Sequence, residues 1–109
     1  MNVRLYLWQR GTAAVMAPLV LIHIAVIFYA TRRGLSAADI LSRTRGSAVW
    51  ASYYGLFVAA ACIHAAIGIR NILAEWTPLN DRGAGRLSLG FGLILAALGL
   101  RAIYALVLA

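Results

Sequence analysis

The sequence predicts an all-α fold: one integral membrane domain, residues 1–109, built as a bundle of three transmembrane helices. Of the 109 residues, 63% are hydrophobic and 12% are charged, which leaves too little polar surface for a soluble domain of this size. Three apolar runs are each long enough to cross the roughly 30 Å hydrocarbon core of a bilayer. We therefore expect membrane lipid to surround the bundle.

The charge of the chain supports the same interpretation. The net charge is +7 and all ten basic residues are arginine, a balance that in a soluble protein would suggest nucleic acid. Here the arginines cluster at the ends of the apolar runs, where lipid headgroups attract them. We expect no nucleic-acid partner.

The first predicted span runs from about residue 11 to residue 30 and carries no charge. Residues 1–10 are polar and aromatic, which is typical of the headgroup zone, because Trp and Tyr favour it and Arg can extend into it. Pro18 lies inside the span and predicts a kink, since the carbonyl of Ala14 loses its usual amide partner.

A polar connection with four arginines follows over residues 31–46. Within it, Ser36 is a candidate N-cap, and the apolar spacing over residues 37–41 predicts a short helix lying in the membrane interface up to about Ser42.

The second span, about residues 47–73, opens with an aromatic belt and is rich in Ala and Gly, which favours close helix packing. A loop is predicted over residues 74–87. The third span follows it, over about residues 87–108, and also contains several glycines.

His64 lies deep in the second span. An ionisable side chain in hydrocarbon is costly, so it usually faces the bundle interior and has a function, and a neutral imidazole is a good axial ligand for haem iron. Gly68 follows one helical turn later on nearly the same face, where it leaves room for a flat macrocycle. Alternatively, His64 makes an interhelical hydrogen bond and Gly68 is a packing contact. The spacing leaves both interpretations open.

His23 lies deep in the first span. It is a candidate haem ligand, but it could instead hydrogen-bond a haem propionate or the backbone freed by Pro18. Considered alone, His23 fits the packing role better. A second membrane histidine in so small a bundle strengthens the cofactor interpretation for both.

Polar residues near one membrane face are further candidates, because antiparallel spans bring the start of the first helix to the end of the second. They are Arg10, Thr12, Arg70, Glu75 and Trp76. Arginine offers a fork of donors to a haem propionate or a quinone carbonyl, and a Trp indole N–H can also donate to a quinone. The alternative is that the arginines anchor the helices in the headgroups and Trp76 belongs to an ordinary aromatic belt.

The segment HAAIGIRNILAEWTPL, from His64 to Leu79, resembles the haem-ligating second helix of the membrane anchors of succinate dehydrogenase and fumarate reductase. The shared pattern is a His, a Gly four residues later and an acid eleven residues after the His, here His64, Gly68 and Glu75. The Gly-Ile-Arg at residues 68–70 is similar to the cytochrome b (C-type) anchor, and the Glu-Trp pair followed by Pro-Leu is similar to the D-type anchor. The run Gln9–Ala13 resembles the start of helix one in either type.

The resemblance implies an anchor subunit of succinate:quinone oxidoreductase (complex II), multi-pass in the bacterial cytoplasmic membrane and without catalytic groups of its own. It implies three partners: a second membrane anchor, an iron–sulfur subunit and a flavoprotein subunit. It also implies a haem b shared by the two anchors, with His64 as an axial ligand to the iron and Arg10, Gly68 and Arg70 near the macrocycle. Electrons would pass from the iron–sulfur subunit to quinone, bound near Arg10, Thr12, Glu75 and Trp76.

Three positions depart from the family pattern. Asn71 stands where C-type anchors often have a second His, and Trp76 stands where D-type anchors have a Tyr beside the quinone. His23 is similar to the helix-one ligand of two-haem, single-chain anchors, and this likeness implies a second haem b with the two histidines on different haems. Two other classes stay open: a non-haem structural subunit of another membrane complex, and a small transporter protomer with the histidines on a proton path.

Overall fold

The computed structural model describes residues 3–108, which form four α-helices. They are α1 (Val3–Arg33), α2 (Ala37–Thr44), α3 (Ala48–Trp76) and α4 (Asp81–Val107). Three of them, α1, α3 and α4, are long and apolar enough to cross a membrane. The described part is 48 Å long, close to the roughly 40–45 Å thickness of a bilayer with its headgroups. The predicted all-α bundle of three transmembrane helices is confirmed, and the chain is a multi-pass membrane protein.

Each long helix begins earlier or ends later than the apolar span predicted for it. The polar lead-in is helical from Val3 onwards, and the loop predicted over residues 74–87 is reduced to residues 77–80. Hydropathy marks only the residues at hydrocarbon depth, whereas a helix continues into the headgroup layer until a cap ends it. At the start of α4 that cap is Asn80, whose side chain accepts the amide hydrogen of Gly83 at 2.7 Å. Met1, Asn2 and Ala109 lie outside the described residues.

The short surface helix predicted to begin at Ser36 is confirmed as α2. The Ser36 hydroxyl oxygen accepts the amide hydrogen of Asp39 at 3.1 Å and donates to the Asp39 carboxylate at 2.6 Å. Gly34 has a φ of +130°, and a Cβ there would lie 2.5 Å from an Asp39 carboxylate oxygen, so this turn requires glycine. The end of α2 is tied to α4, because the Thr44 hydroxyl donates to the Leu106 carbonyl at 2.8 Å.

The central helix is α3, which packs against α1 on one side and α4 on the other. Glycines let α4 approach it closely. A Cβ at Gly99 would lie 2.6 Å from a Val58 methyl carbon, and one at Gly92 would lie 3.1 Å from the Ala66 Cβ. Small residues at such crossings allow the close backbone approach on which helix association in lipid depends.

Most large apolar side chains point outward from the bundle. Within residues 3–108, the buried hydrophobic residues are few, and two of the four are alanines: Ala60, Ile67, Ala84 and Val107. Because lipid is as apolar as these side chains, an outward-facing apolar surface is stable in a membrane and is also available to other membrane subunits.

Candidate haem and quinone site

His64 lies on the side of α3 that faces α1, at the level of Thr12. The Nδ1 atom of His64 is 3.2 Å from the hydroxyl oxygen of Thr12. That oxygen is also 2.7 Å from the Trp8 carbonyl oxygen and 3.1 Å from the Gln9 carbonyl oxygen. Thr12 is buried and His64 is half-buried. A hydrogen bond therefore joins two membrane spans at this histidine.

The distances around Thr12 decide where the protons lie. Two oxygens 2.7 Å apart need a hydrogen between them, and a backbone carbonyl only accepts, so the Thr12 hydroxyl donates to Trp8. A hydroxyl has one hydrogen, so the Thr12 oxygen must accept from His64. In the neutral imidazole the ring hydrogen is then on Nδ1, and Nε2 keeps its lone pair. Within residues 3–108, Nε2 of His64 has no hydrogen-bond partner.

Gly68 also faces α1, next to Gln9. A Cβ at Gly68 would lie 3.4 Å from the Gln9 side-chain nitrogen, so the Gln9 amide lies over the glycine. The Gln9 side-chain oxygen is buried and has no hydrogen-bond partner among the described residues. This contact corresponds to the packing role considered for Gly68, and the role of Gly68 beside a macrocycle stays a prediction.

Gln9 was not singled out as a site residue from the sequence. The signal was its position three residues before Thr12, which places both side chains on one face of a helix. The partner residue on α3 could not be read from spacing within one helix, because it depends on the register between α1 and α3.

Arg10, Glu75 and Trp76 lie at one end of the bundle, where α1 begins and α3 ends. All three are exposed, and Trp76 keeps 81% of its accessible surface. The Arg10 guanidinium lies 5.6 Å from the centre of the Tyr6 ring, one turn before it on α1. The three residues thus share a membrane face, but no hydrogen bond, ion pair or cation–π contact joins Arg10 to either Glu75 or Trp76 among the described residues.

Arg70 is half-buried between α3 and α4. Its Nε atom would lie 4.0 Å from a Cβ at Gly85, near the start of α4. Arg70 is six residues beyond His64 on α3, so it lies about 9 Å further along the helix. The guanidinium is therefore on the same half of the bundle as His64, at or near the headgroup depth.

His23 lies in the other half of the bundle. Its Nδ1 atom is 3.5 Å from the Tyr54 hydroxyl oxygen, and its ring meets the Tyr54 and Phe57 rings edge-on, at centroid distances of 5.9 and 5.6 Å. Tyr54 and His64 are ten residues apart on α3, which corresponds to about 15 Å along the axis. Metal–nitrogen bonds are only about 2 Å long, so His23 and His64 cannot ligate the same ion.

The fold defines a class: a small helical membrane subunit whose three spans leave most of their apolar surface outward, with a hydrogen-bonded histidine inside the membrane. The chain belongs to the family of succinate dehydrogenase/fumarate reductase transmembrane subunits, whose family model matches residues 2–103. Comparisons with curated proteins and with solved structures gave no match. The resemblance inferred from residues 64–79 is thereby confirmed, and the family places this chain in a succinate dehydrogenase/fumarate reductase complex.

Proposed function

We propose that this chain is a haem b-binding anchor of a succinate:quinone oxidoreductase, in which His64 is an axial ligand to the haem iron. The observation that supports the proposal most directly is the hydrogen bond between His64 and Thr12. Metal-bound histidines almost always use their second ring nitrogen in this way, because it fixes the tautomer and the plane of the ring. Here the bond leaves Nε2 of His64 as the ligand atom.

The residues around His64 fit haem better than a bare metal ion. Within residues 3–108, no group of three or more His, Cys, Asp or Glu side chains could hold a metal ion. A haem iron brings most of its ligands with it in the porphyrin, so a single histidine such as His64 is enough for one axial position. His64 is half-buried, so a second anchor packed against this bundle could supply the other axial ligand.

Bound haem b would supply a one-electron centre inside the membrane. In this proposal Thr12 holds the imidazole of His64 in the ligating tautomer, and Gly68 leaves room for the Gln9 side chain beside it. Arg70, and Arg10 at the headgroup depth, place positive charge on the side of the bundle where haem propionates would need it. The hydroxyl of Thr12 is engaged by His64 and Trp8, so we assign Thr12 to the haem and not to the quinone.

The quinone site is proposed at the end of the bundle where Arg10, Glu75 and Trp76 are exposed. A guanidinium and an indole N–H can each donate a hydrogen bond to a quinone carbonyl. Their exposure suits a site that is completed by the second anchor and the iron–sulfur subunit. Electrons from succinate would arrive through the flavoprotein and iron–sulfur subunits and leave on the quinone, at the bacterial cytoplasmic membrane.

The second haem on His23, implied by the likeness to two-haem anchors, lacks the support that Thr12 gives to His64. The Tyr54 contact of His23 is 3.5 Å long, at the outer limit for a hydrogen bond, so it does not fix the tautomer of His23 as Thr12 fixes that of His64. We therefore propose one haem b, shared with the partner anchor.

The test is to purify the complex through a tag on this chain and to identify what accompanies it. We expect a flavoprotein, an iron–sulfur subunit and a second anchor, together with a b-type absorption after dithionite reduction and succinate-dependent quinone reduction. An active complex without b-type absorption would favour a non-haem structural subunit. A chain that purifies alone and moves protons across vesicles would favour the transporter alternative.

A further inference from the structure

A cleft of about 520 Å³ lies at the opposite end of the bundle from Thr12. It is bounded by the C-terminal half of α1, by α2, by the start of α3 and by Leu106 near the end of α4. The cleft follows α1 from Ile22 to Ala30, a rise of about 12 Å. Its wall along α1 is mainly apolar, so this part of the cleft suits a hydrocarbon chain.

Two positive charges, which we call the arginine rim, lie next to one aromatic ring that lines the cleft, that of Tyr29. The guanidinium carbons of Arg33 and Arg43 lie 5.7 and 5.6 Å from the centre of the Tyr29 ring. Arg43 is half-buried, lines the cleft and donates to the Gly34 carbonyl at 3.0 Å. The position of its guanidinium is thereby fixed, and its other N–H groups remain available to a ligand.

The carboxylate nearest to this rim in sequence forms no ion pair with it among the described residues. Asp39 lies one turn before Arg43 on α2, but its carboxylate accepts the Ser36 hydroxyl hydrogen at 2.6 Å as part of the helix cap. Neither Arg33 nor Arg43 forms an ion pair in the part of the chain that the structure describes. Two guanidinium groups that share one aromatic ring and lack an ion-paired carboxylate favour binding of an anion beside them.

The aromatic residues of the cleft give its depth in the membrane. Trp50 stacks on Tyr54 at a centroid distance of 5.7 Å, and both line the cleft together with Tyr29. Trp and Tyr are enriched where hydrocarbon meets headgroups. The arginine rim therefore lies at headgroup depth, and the apolar wall extends from it into the hydrocarbon.

We propose that this cleft binds an anionic phospholipid, with its phosphate at Arg33 and Arg43 and an acyl chain along the wall formed by α1. The site lies apart from His64, and this proposal does not rest on haem binding. Charge complementarity favours a lipid of net negative charge over a zwitterionic one, because the zwitterion also brings a cation to the two guanidiniums. The amphipathic helix α2 forms the wall of the cleft at the membrane interface. A partner's transmembrane helix lying along α1 would collide with α2. A lipid would not, because its headgroup stays at the interface.

The experiment uses the purified complex, washed in detergent and then incubated with mixed micelles of phosphatidylglycerol and phosphatidylcholine that have identical acyl chains. After re-isolation, the retained lipids are counted by mass spectrometry. The test variant is Arg33→Gln with Arg43→Gln. The matched control is Arg32→Gln with Arg45→Gln, which removes the same charge from the same two segments but from arginines that neither line the cleft nor contact Tyr29. Co-purification of the other subunits reports on assembly.

We expect the wild-type complex and the control variant to retain phosphatidylglycerol several-fold in preference to phosphatidylcholine, and the test variant to lose this preference. Ala30→Trp, which narrows the cleft without changing the charge, should reduce the retention of phosphatidylglycerol. If the test variant does not assemble, Arg33→Gln alone, at an exposed position, should still weaken the preference. Equal losses in the two double variants, equal retention of the two lipids by the wild type, or a haem bound at His23 within the same cleft would overturn the proposal.

Discussion

The hydroxyl oxygen of Thr12 accepts the Nδ1 hydrogen of His64 across 3.2 Å and thereby joins α1 to α3 inside the membrane. The hydroxyl hydrogen of Thr12 goes to the Trp8 carbonyl, one helical turn earlier. One threonine thus connects the backbone of the first span to the imidazole of the second. In the proposed function, this bond presents Nε2 of His64 to the haem iron.

Removing the Thr12 hydroxyl should weaken haem binding. We expect Thr12→Val to lower haem affinity by roughly 10–100-fold, the usual effect of losing a partner of a metal-bound histidine, and to shift the haem midpoint potential. Thr12→Ser should keep both near the wild-type values, because serine retains the hydroxyl. Haem content per complex reports the change in affinity, and a redox titration of the b-type absorption reports the midpoint potential.

The control for Thr12 is Thr31→Val. Thr31 also donates to a carbonyl of its own helix, that of Phe28 at 2.7 Å, but it is exposed and contacts no histidine. It should leave haem content unchanged. If Thr12→Val also leaves haem content and potential unchanged, the orienting role of Thr12 is wrong even when His64 is a ligand.

The close packing of α4 on α3 gives a stability prediction. A Cβ at Gly99 would lie 2.6 and 2.8 Å from the two methyl carbons of Val58, a stiff β-branched side chain that cannot easily move away. We expect Gly99→Ala to destabilise the protein by about 1–3 kcal/mol, the usual cost of overpacking, seen as a lower Tm of the purified complex. Val58→Ala in the same chain should restore the Tm in part.

The comparison for Gly99 is Gly90→Ala on the same helix, where a Cβ would meet nothing within 4 Å. Alanine is a better helix former than glycine by about 1 kcal/mol, so this variant should keep or raise the Tm. Equal effects of the two substitutions would show that the Gly99–Val58 contact does not limit helix packing.

His23 decides between one haem and two. We expect His23→Ala to leave haem content at one per complex, because the proposed ligand is His64. The measurement is haem content by pyridine haemochrome against protein concentration. A wild-type content of two, reduced to one by His23→Ala, would establish the second haem implied by the likeness to two-haem anchors.

The quinone site can be tested at Arg10. We expect Arg10→Gln to raise the KM for quinone about tenfold or more, since a hydrogen bond from a charged donor contributes about 1.5–3 kcal/mol. Succinate oxidation with a soluble dye as acceptor should be unaffected, because the dye does not need the quinone site. The matched control is Arg4→Gln, at another exposed arginine on α1, which should leave the KM unchanged. If both substitutions raise the KM equally, the effect comes from the loss of positive charge in general, and the assignment of Arg10 to the quinone site is wrong.

The sequence was sufficient for the number, order and approximate place of the spans, because hydropathy depends on composition over a window of residues. It also located α2 from the Ser36 cap. The start of α1, the end of α3 and the start of α4 were missed, since helices continue through the headgroup layer, where hydropathy no longer distinguishes helix from loop. Neither Asn80 as a cap nor the short connection over residues 77–80 followed from the apolar pattern.

The site was only partly predictable for a different reason. The spacing of His64 and Gly68 placed both on one helix face, but it could not identify what lay opposite them. That depends on the register between two helices and on crossing contacts such as the hydrogen bond from Tyr53 to the Leu19 carbonyl. The register sets Thr12 against His64 and Gln9 against Gly68. Thr12, which we expected near the quinone from the sequence, therefore hydrogen-bonds His64 instead.

The most direct test of the account is the dithionite-reduced minus oxidised spectrum of the purified complex carrying His64→Ala, with His23→Ala as the matched histidine variant. We predict that His64→Ala abolishes the b-type absorption while the flavoprotein and iron–sulfur subunits still co-purify, and that His23→Ala retains it. An unchanged b-type spectrum in the assembled His64→Ala complex would contradict the assignment of His64 as the haem ligand.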